Sequence, residues 1–81
     1  MTIEQAANQV KEVYSNLSKV GDKWKFQIYN HMTESWIDSP VLSWKQANYT
    51  RSRRMAELGR ELMGLEPTIY IGGNWQQYLK P

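Results

Sequence analysis

The chain contains no cysteine, one histidine and one phenylalanine in 81 residues, and no apolar run approaches the length of a membrane span. Without thiols there are no structural disulfides, no thiolate metal sites and no cysteine nucleophile. The single His31 lies in a polar stretch with Glu34 as its nearest carboxylate in sequence, which supplies neither a two-ligand metal spacing nor a nucleophile for a histidine base. Neither a metal centre nor catalysis is therefore expected. The Gly72-Gly73 pair lacks the spacing of a phosphate-binding loop, so no cofactor is expected. The N-terminus lacks the charged-then-apolar form of a signal peptide, and the expectation is a cytoplasmic protein that does not enter a membrane.

Aromatic residues other than phenylalanine are abundant. Four tryptophans and five tyrosines exceed what one core of this size encloses, which places some of these rings at the surface, where Trp, Tyr, Met and Arg are enriched in protein interfaces. Ten Lys and Arg against eight Asp and Glu give a formal charge of +2. That balance permits a nucleic-acid partner without requiring one.

The length and the absence of any linker-like tract predict a single α+β domain over residues 1–81. Thr2 and Gln5 have capping-box spacing, and Ile3, Ala6, Ala7, Val10, Val13, Tyr14 and Leu17 follow at helical intervals, so an amphipathic helix is expected to end near residues 16–19. Gly21 and Asp22 then make a connection. From Lys23 the period changes to two, predicting one strand over residues 23–29 with Trp24, Phe26 and Ile28 inward. Residues 30–34 read as a hairpin loop and residues 35–38 as a short edge strand with Trp36 and Ile37 on opposite faces.

A long helix is expected over residues 40–63, with Ser39 as N-cap, Pro40 in the first turn, Gly64 and Pro67 as stop signals and Gly59 as a point of bending. Its apolar face contains Val41, Trp44, Ala47, Met55, Leu58, Leu62 and Met63, with Arg51 among them. Residues 68–71 are β-branched and aromatic and predict a third strand. After the Gly72-Gly73 turn the tail returns as a fourth strand or drapes over the sheet. The expected order is α-β-β-α-β, with a small antiparallel sheet of two to four strands packed on both helices.

The function most consistent with these features is non-enzymatic protein binding, in the manner of a small phage or mobile-element inhibitor or adaptor acting on a host protein. Its candidate contact residues are Trp44, Arg51, Met55, Trp75 and Tyr78. Three arrangements are open to Arg51: its stem snorkels at the core margin, it pairs with Asp38 or Glu34, or it faces a partner together with Trp44 and Met55. The alternative function is nucleic-acid binding through Arg53, Arg54 and Arg60 of the long helix with Lys23 and Lys25 of the first strand. Against it, Glu57 stands four residues from Arg53 and three from Arg60, a spacing that predicts neutralising pairs along a solvated face. An open outer sheet face of Lys23, Lys25, Gln27, Tyr29, Thr68 and Tyr70 would serve the same alternative. A second copy of the chain is a further candidate partner, because a wide apolar helix face and an exposed strand edge can both be completed by a homodimer.

Overall fold

The computed structural model describes all of residues 1–81. Helix α1 spans Ile3–Val13, two hairpins follow, helix α2 spans Trp44–Leu62, and a 3₁₀ helix over Trp75–Leu79 ends the chain. The α+β class is as the sequence indicates, with the strands divided between two small antiparallel sheets. Strands β1 (Ser18–Val20) and β2 (Lys23–Lys25) form one sheet, and β3 (Gln27–Asn30) and β4 (Ser35–Asp38) form the other. No helix is long and apolar enough to cross a membrane.

The first helix begins at the expected capping box. Gln5 N–H donates to Thr2 Oγ1 at 3.1 Å and Thr2 N–H donates to Gln5 Oε1 at 2.9 Å, satisfying two of the donors that a helix start leaves open. The helix stops earlier than its apolar periodicity implies. Tyr14 adopts extended backbone and bridges Ile28, and Ser15 N–H donates to Gln27 O at 2.9 Å. Sheet pairing thus replaces the final helical turn.

The expected single strand over residues 23–29 is broken at Phe26. Gly21, at φ 65°, and Asp22 form a two-residue hairpin turn that pairs Val20 with Lys23, so β2 belongs to a hairpin with the preceding segment. β3 belongs to the next hairpin, in which Asn30 Oδ1 accepts from Met32 N–H at 2.9 Å and organises the loop. Phe26 lies between the two and is fully buried.

The long helix starts at Ser43, not Ser39. Ser43 Oγ accepts from Gln46 N–H at 3.3 Å, while Ser39 prolongs the β3–β4 ladder and Leu42 pairs with Trp24. The Ser-x-x-Gln spacing at residues 43–46 is itself a capping signal, and it lies beyond the point where Pro40 suggests a start. At the other end Gly64, at φ 71°, terminates the helix as its sequence indicates.

The core joins Ala6, Ala7 and Val10 of α1 to Met55 and Ala56 of α2 and to Tyr70, Trp75 and Leu79 of the C-terminal segment. The buried face of α2 runs through Ala47, Ser52, Met55, Ala56 and Gly59. Apart from Met55 these residues are small, the face is rotated from the larger apolar stripe that the sequence suggests, and at Gly59 it admits the 3₁₀ helix at close range. Residues 68–71 do not form a third strand and the tail forms no fourth. They pass over α2 with Tyr70 buried and its neighbours outside.

Candidate functional site

The tail folds back on α2 through three tyrosines. The ring centroids of Tyr49 and Tyr70 lie 5.4 Å apart and those of Tyr70 and Tyr78 lie 4.8 Å apart, in tilted arrangements. Each hydroxyl closes on the main chain of the loop between α2 and the 3₁₀ helix. Tyr49 Oη donates to Tyr70 O at 3.1 Å, Tyr70 Oη donates to Gly73 O, and Tyr78 Oη donates to Gly72 O at 2.7 Å. Tyr78 Oη also accepts from Ile71 N–H at 3.3 Å. Gly72 and Gly73, at φ 116° and 86°, supply the left-handed backbone that turns these carbonyls toward the hydroxyls.

This clamp holds outward two side chains that the hydrophobic effect would otherwise bury. Ile69 is 82% exposed and Ile71 is 86% exposed, on either side of the buried Tyr70. Two β-branched side chains on a fixed loop have little rotamer entropy left to lose on binding. Lys45 and Arg53 stand one turn before and after Tyr49 on α2, so positive charge borders the loop. Neither is ion-paired, and Arg53 Nε is buried with no hydrogen-bond partner.

Only part of the contact set expected from the sequence lies at this surface. Tyr78 is half-buried and acts as a clamp. Trp75 and Met55 are core residues, the latter 1% exposed, and burial removes both from any contact surface of the folded chain. Trp44 is 54% exposed, but it sits about 140° around α2 from Tyr49 at 3.6 residues per turn and does not join the loop. Arg51 is half-buried at the core margin, forms no ion pair with Asp38 or Glu34, and does not share an open face with the buried Met55. Its Nε donates to Ser15 O at 2.6 Å, capping the chain just past α1, and burial lowers its pKa without bringing a carboxylate near. Asp38, proposed as its partner, is occupied by Lys25 Nζ at 3.2 Å and Gln27 Nε2 at 2.9 Å.

The basic residues are likewise dispersed. Arg60 Nε donates to Glu66 O at 2.7 Å, and its Nη1 donates to Tyr78 O at 2.8 Å and Lys80 O at 3.3 Å, which locks the tail to the end of α2. The expected pairs of Glu57 with Arg53 and Arg60 are not formed, and Lys25 with Asp38 is the one ion pair. Exposed Arg54 lies near Tyr14, whose pKa is raised by burial in spite of that charge. Lys23 is exposed on β2, Lys25 and Gln27 meet on the Asp38 carboxylate across the break between the two sheets, and Tyr70 is buried in the core, so the expected outer face is not assembled as one surface. His31 stands edge-on to Tyr29 at 4.9 Å and borders a groove of about 390 Å³ with Glu12, Val13, Leu58 and Leu62.

The signal for the loop was present in sequence as Ile-Tyr-Ile before Gly-Gly, an alternation that reads equally well as an ordinary strand. Comparison with family models, with curated proteins and with solved structures gives no match for this chain.

Proposed function

We propose that this chain is a non-enzymatic protein-binding module that engages its partner through the tyrosine-clamped loop at residues 68–74. One observation carries the reading: two isoleucines held almost fully in water by three tyrosine hydroxyls bonded to their own loop. A fold gains nothing from such an exposure, and exposed apolar groups on a rigid support are the form that interface anchors take. The partner offers an apolar recess for Ile69 and Ile71, rimmed by carboxylates that face Lys45 and Arg53.

The test uses paired substitutions. Ile69→Asp with Ile71→Asp leaves unfolding stability within about 0.5 kcal/mol, as expected of exposed positions. The same pair abolishes retention of a protein partner captured by the wild-type chain and confirmed with purified components. Retention that survives both substitutions overturns the assignment. Nucleic-acid binding retains one supporting feature, the unpaired state of Lys23, Arg53 and Arg54. It is distinguished by oligonucleotide affinity that falls steeply with salt and is unaffected by Ile69→Asp.

A further inference from the structure

The second hairpin carries a different surface. All four residues of β4 are exposed, including Trp36 at 46% and Ile37 at 50%, and among the elements of the fold only β3 runs alongside it. Edge strands are usually guarded by lysine, proline or an inward charge. Here Pro40 comes only after the strand, and the one charge, Asp38, is neutralised by Lys25.

The hydrogen-bond alternation identifies the free groups. Ser39 N–H donates to Phe26 O at 2.8 Å and Phe26 N–H donates to Ser39 Oγ at 2.9 Å, continuing the ladder by one bonded pair. Counting from it by twos, Ile37 and Ser35 turn their main-chain groups toward Ile28 and Asn30. Trp36 and Asp38 turn theirs outward. The far side of β3 shows the same alternation, since Gln27 there exchanges bonds with Ser15 N–H at 2.9 Å and Ser15 Oγ at 2.7 Å.

We propose that this edge is completed by β4 of a second copy, antiparallel about a two-fold axis at Ile37. In that register Trp36 of each chain exchanges both main-chain bonds with Asp38 of the other, and Ile37 stands opposite Ile37. The register follows from exclusion. Centring on Trp36 sets Glu34 against Asp38 and requires extended backbone at Glu34, whose φ is 53°. Centring on Asp38 opposes two carboxylates and places Pro40, which has no N–H, opposite Trp36. Centring on Ile37 opposes no like charges.

It also extends an existing apolar row. Tyr14, Ile28 and Ile37 stand opposite one another on one face, so the dimer carries six such residues in line across one sheet. A two-stranded hairpin is marginal alone, and four central strands remove both free edges at once. This surface is separate from the loop at residues 68–74, and its test does not depend on that loop's function.

Sedimentation equilibrium over a concentration series is the experiment. The mass is expected to rise from the 9.6 kDa of one chain toward twice that value. Trp36→Pro removes an outward N–H, a change that edge strands tolerate, and is expected to remain folded by circular dichroism yet monomeric. Ile37→Lys, which opposes two ammonium groups, reaches the monomer by another route. Because the chain has no cysteine, Ile37→Cys is expected to form a disulfide-linked dimer on mild oxidation, as a non-bonded antiparallel pair has suitable Cα spacing. Trp36→Cys, out of register with its mate, is not. Ile69→Asp is expected to leave self-association unchanged. A wild-type chain that stays monomeric throughout, a dimer that survives Trp36→Pro, or preferential crosslinking of Trp36→Cys overturns the proposal.

Discussion

Leu79 fills the space above Gly59. A Cβ added at Gly59 would stand 2.6 Å from Leu79 Cδ1 and 2.8 Å from its Cγ, and Leu79 is fully buried. α2 runs through this glycine without interruption, and the absent side chain is what admits the 3₁₀ helix at this distance. Gly59→Ala gains about 1 kcal/mol of helix propensity and is nevertheless expected to destabilise the fold, because overpacking a closed core costs about 1–3 kcal/mol. Urea unfolding measures the net effect. In the Gly59→Ala background, Leu79→Val is expected to cost less than it does alone, because it relieves the same overlap.

Arg51 and Ser15 join α2 to the segment after α1. Replacing Arg51 by Met keeps most of the stem but leaves Ser15 O without its donor, at an expected cost of about 1–3 kcal/mol. Arg51→Lys recovers only part of this, since a lysine lacks the planar Nε–H that makes the 2.6 Å bond. Denaturation midpoints of the three proteins should therefore rank Arg, Lys, Met.

Removing one hydroxyl separates the clamp from the fold. Tyr78→Phe keeps the ring against Tyr70 and loses the bonds to Gly72 O and Ile71 N–H, with an expected stability loss of about 0.5–1.5 kcal/mol. Amide exchange at Ile71 should accelerate more than exchange in the centre of α2. Equal acceleration at both sites would mean that the loop has no local rigidity of its own.

Gln27 first, and then Lys25, hydrogen-bond the Asp38 carboxylate and hold its pKa below the usual range. A depressed carboxylate pKa contributes stability above the unfolded-state value, near 3.9, that is lost as pH falls through the folded value. Asp38 is exposed, so the effect is small and confined to the acid limb. Asp38→Asn should flatten the melting temperature between about pH 5 and pH 2 relative to the wild type while leaving the slope above pH 6 unchanged.

Burial raises the pKa of Tyr14. A raised tyrosine pKa contributes stability below the unfolded value, near 10, that is lost as pH rises through the folded value. Tyr14→Phe should remove this alkaline loss, as measured by melting temperature from pH 9 to pH 11.

Features decided within a few residues were legible in the sequence. The Thr2–Gln5 box, the loop before β4, the opposite-facing Trp36 and Ile37 and the stop at Gly64 all arise from local bonds and local backbone freedom. The candidate site was legible only as raw material. Tyr78 stands out in the sequence by its ring, whereas nothing local marks Tyr49, Ile69 and Ile71, whose roles depend on a segment some twenty residues away in sequence meeting α2.

The sequence by itself determined the α+β class, both helices, the second hairpin and the absence of thiol chemistry, because periodicity, caps and composition act over short range. Tertiary structure decided where the first strand breaks, why residues 68–71 do not enter a sheet, and which aromatic and basic side chains stay outside. Trp75 and Met55 are buried, Arg60 is spent on carbonyls and Ile69 stays in water because distant segments compete for one small core. That competition is settled by shape and by hydrogen-bond partners, which one-dimensional order does not contain.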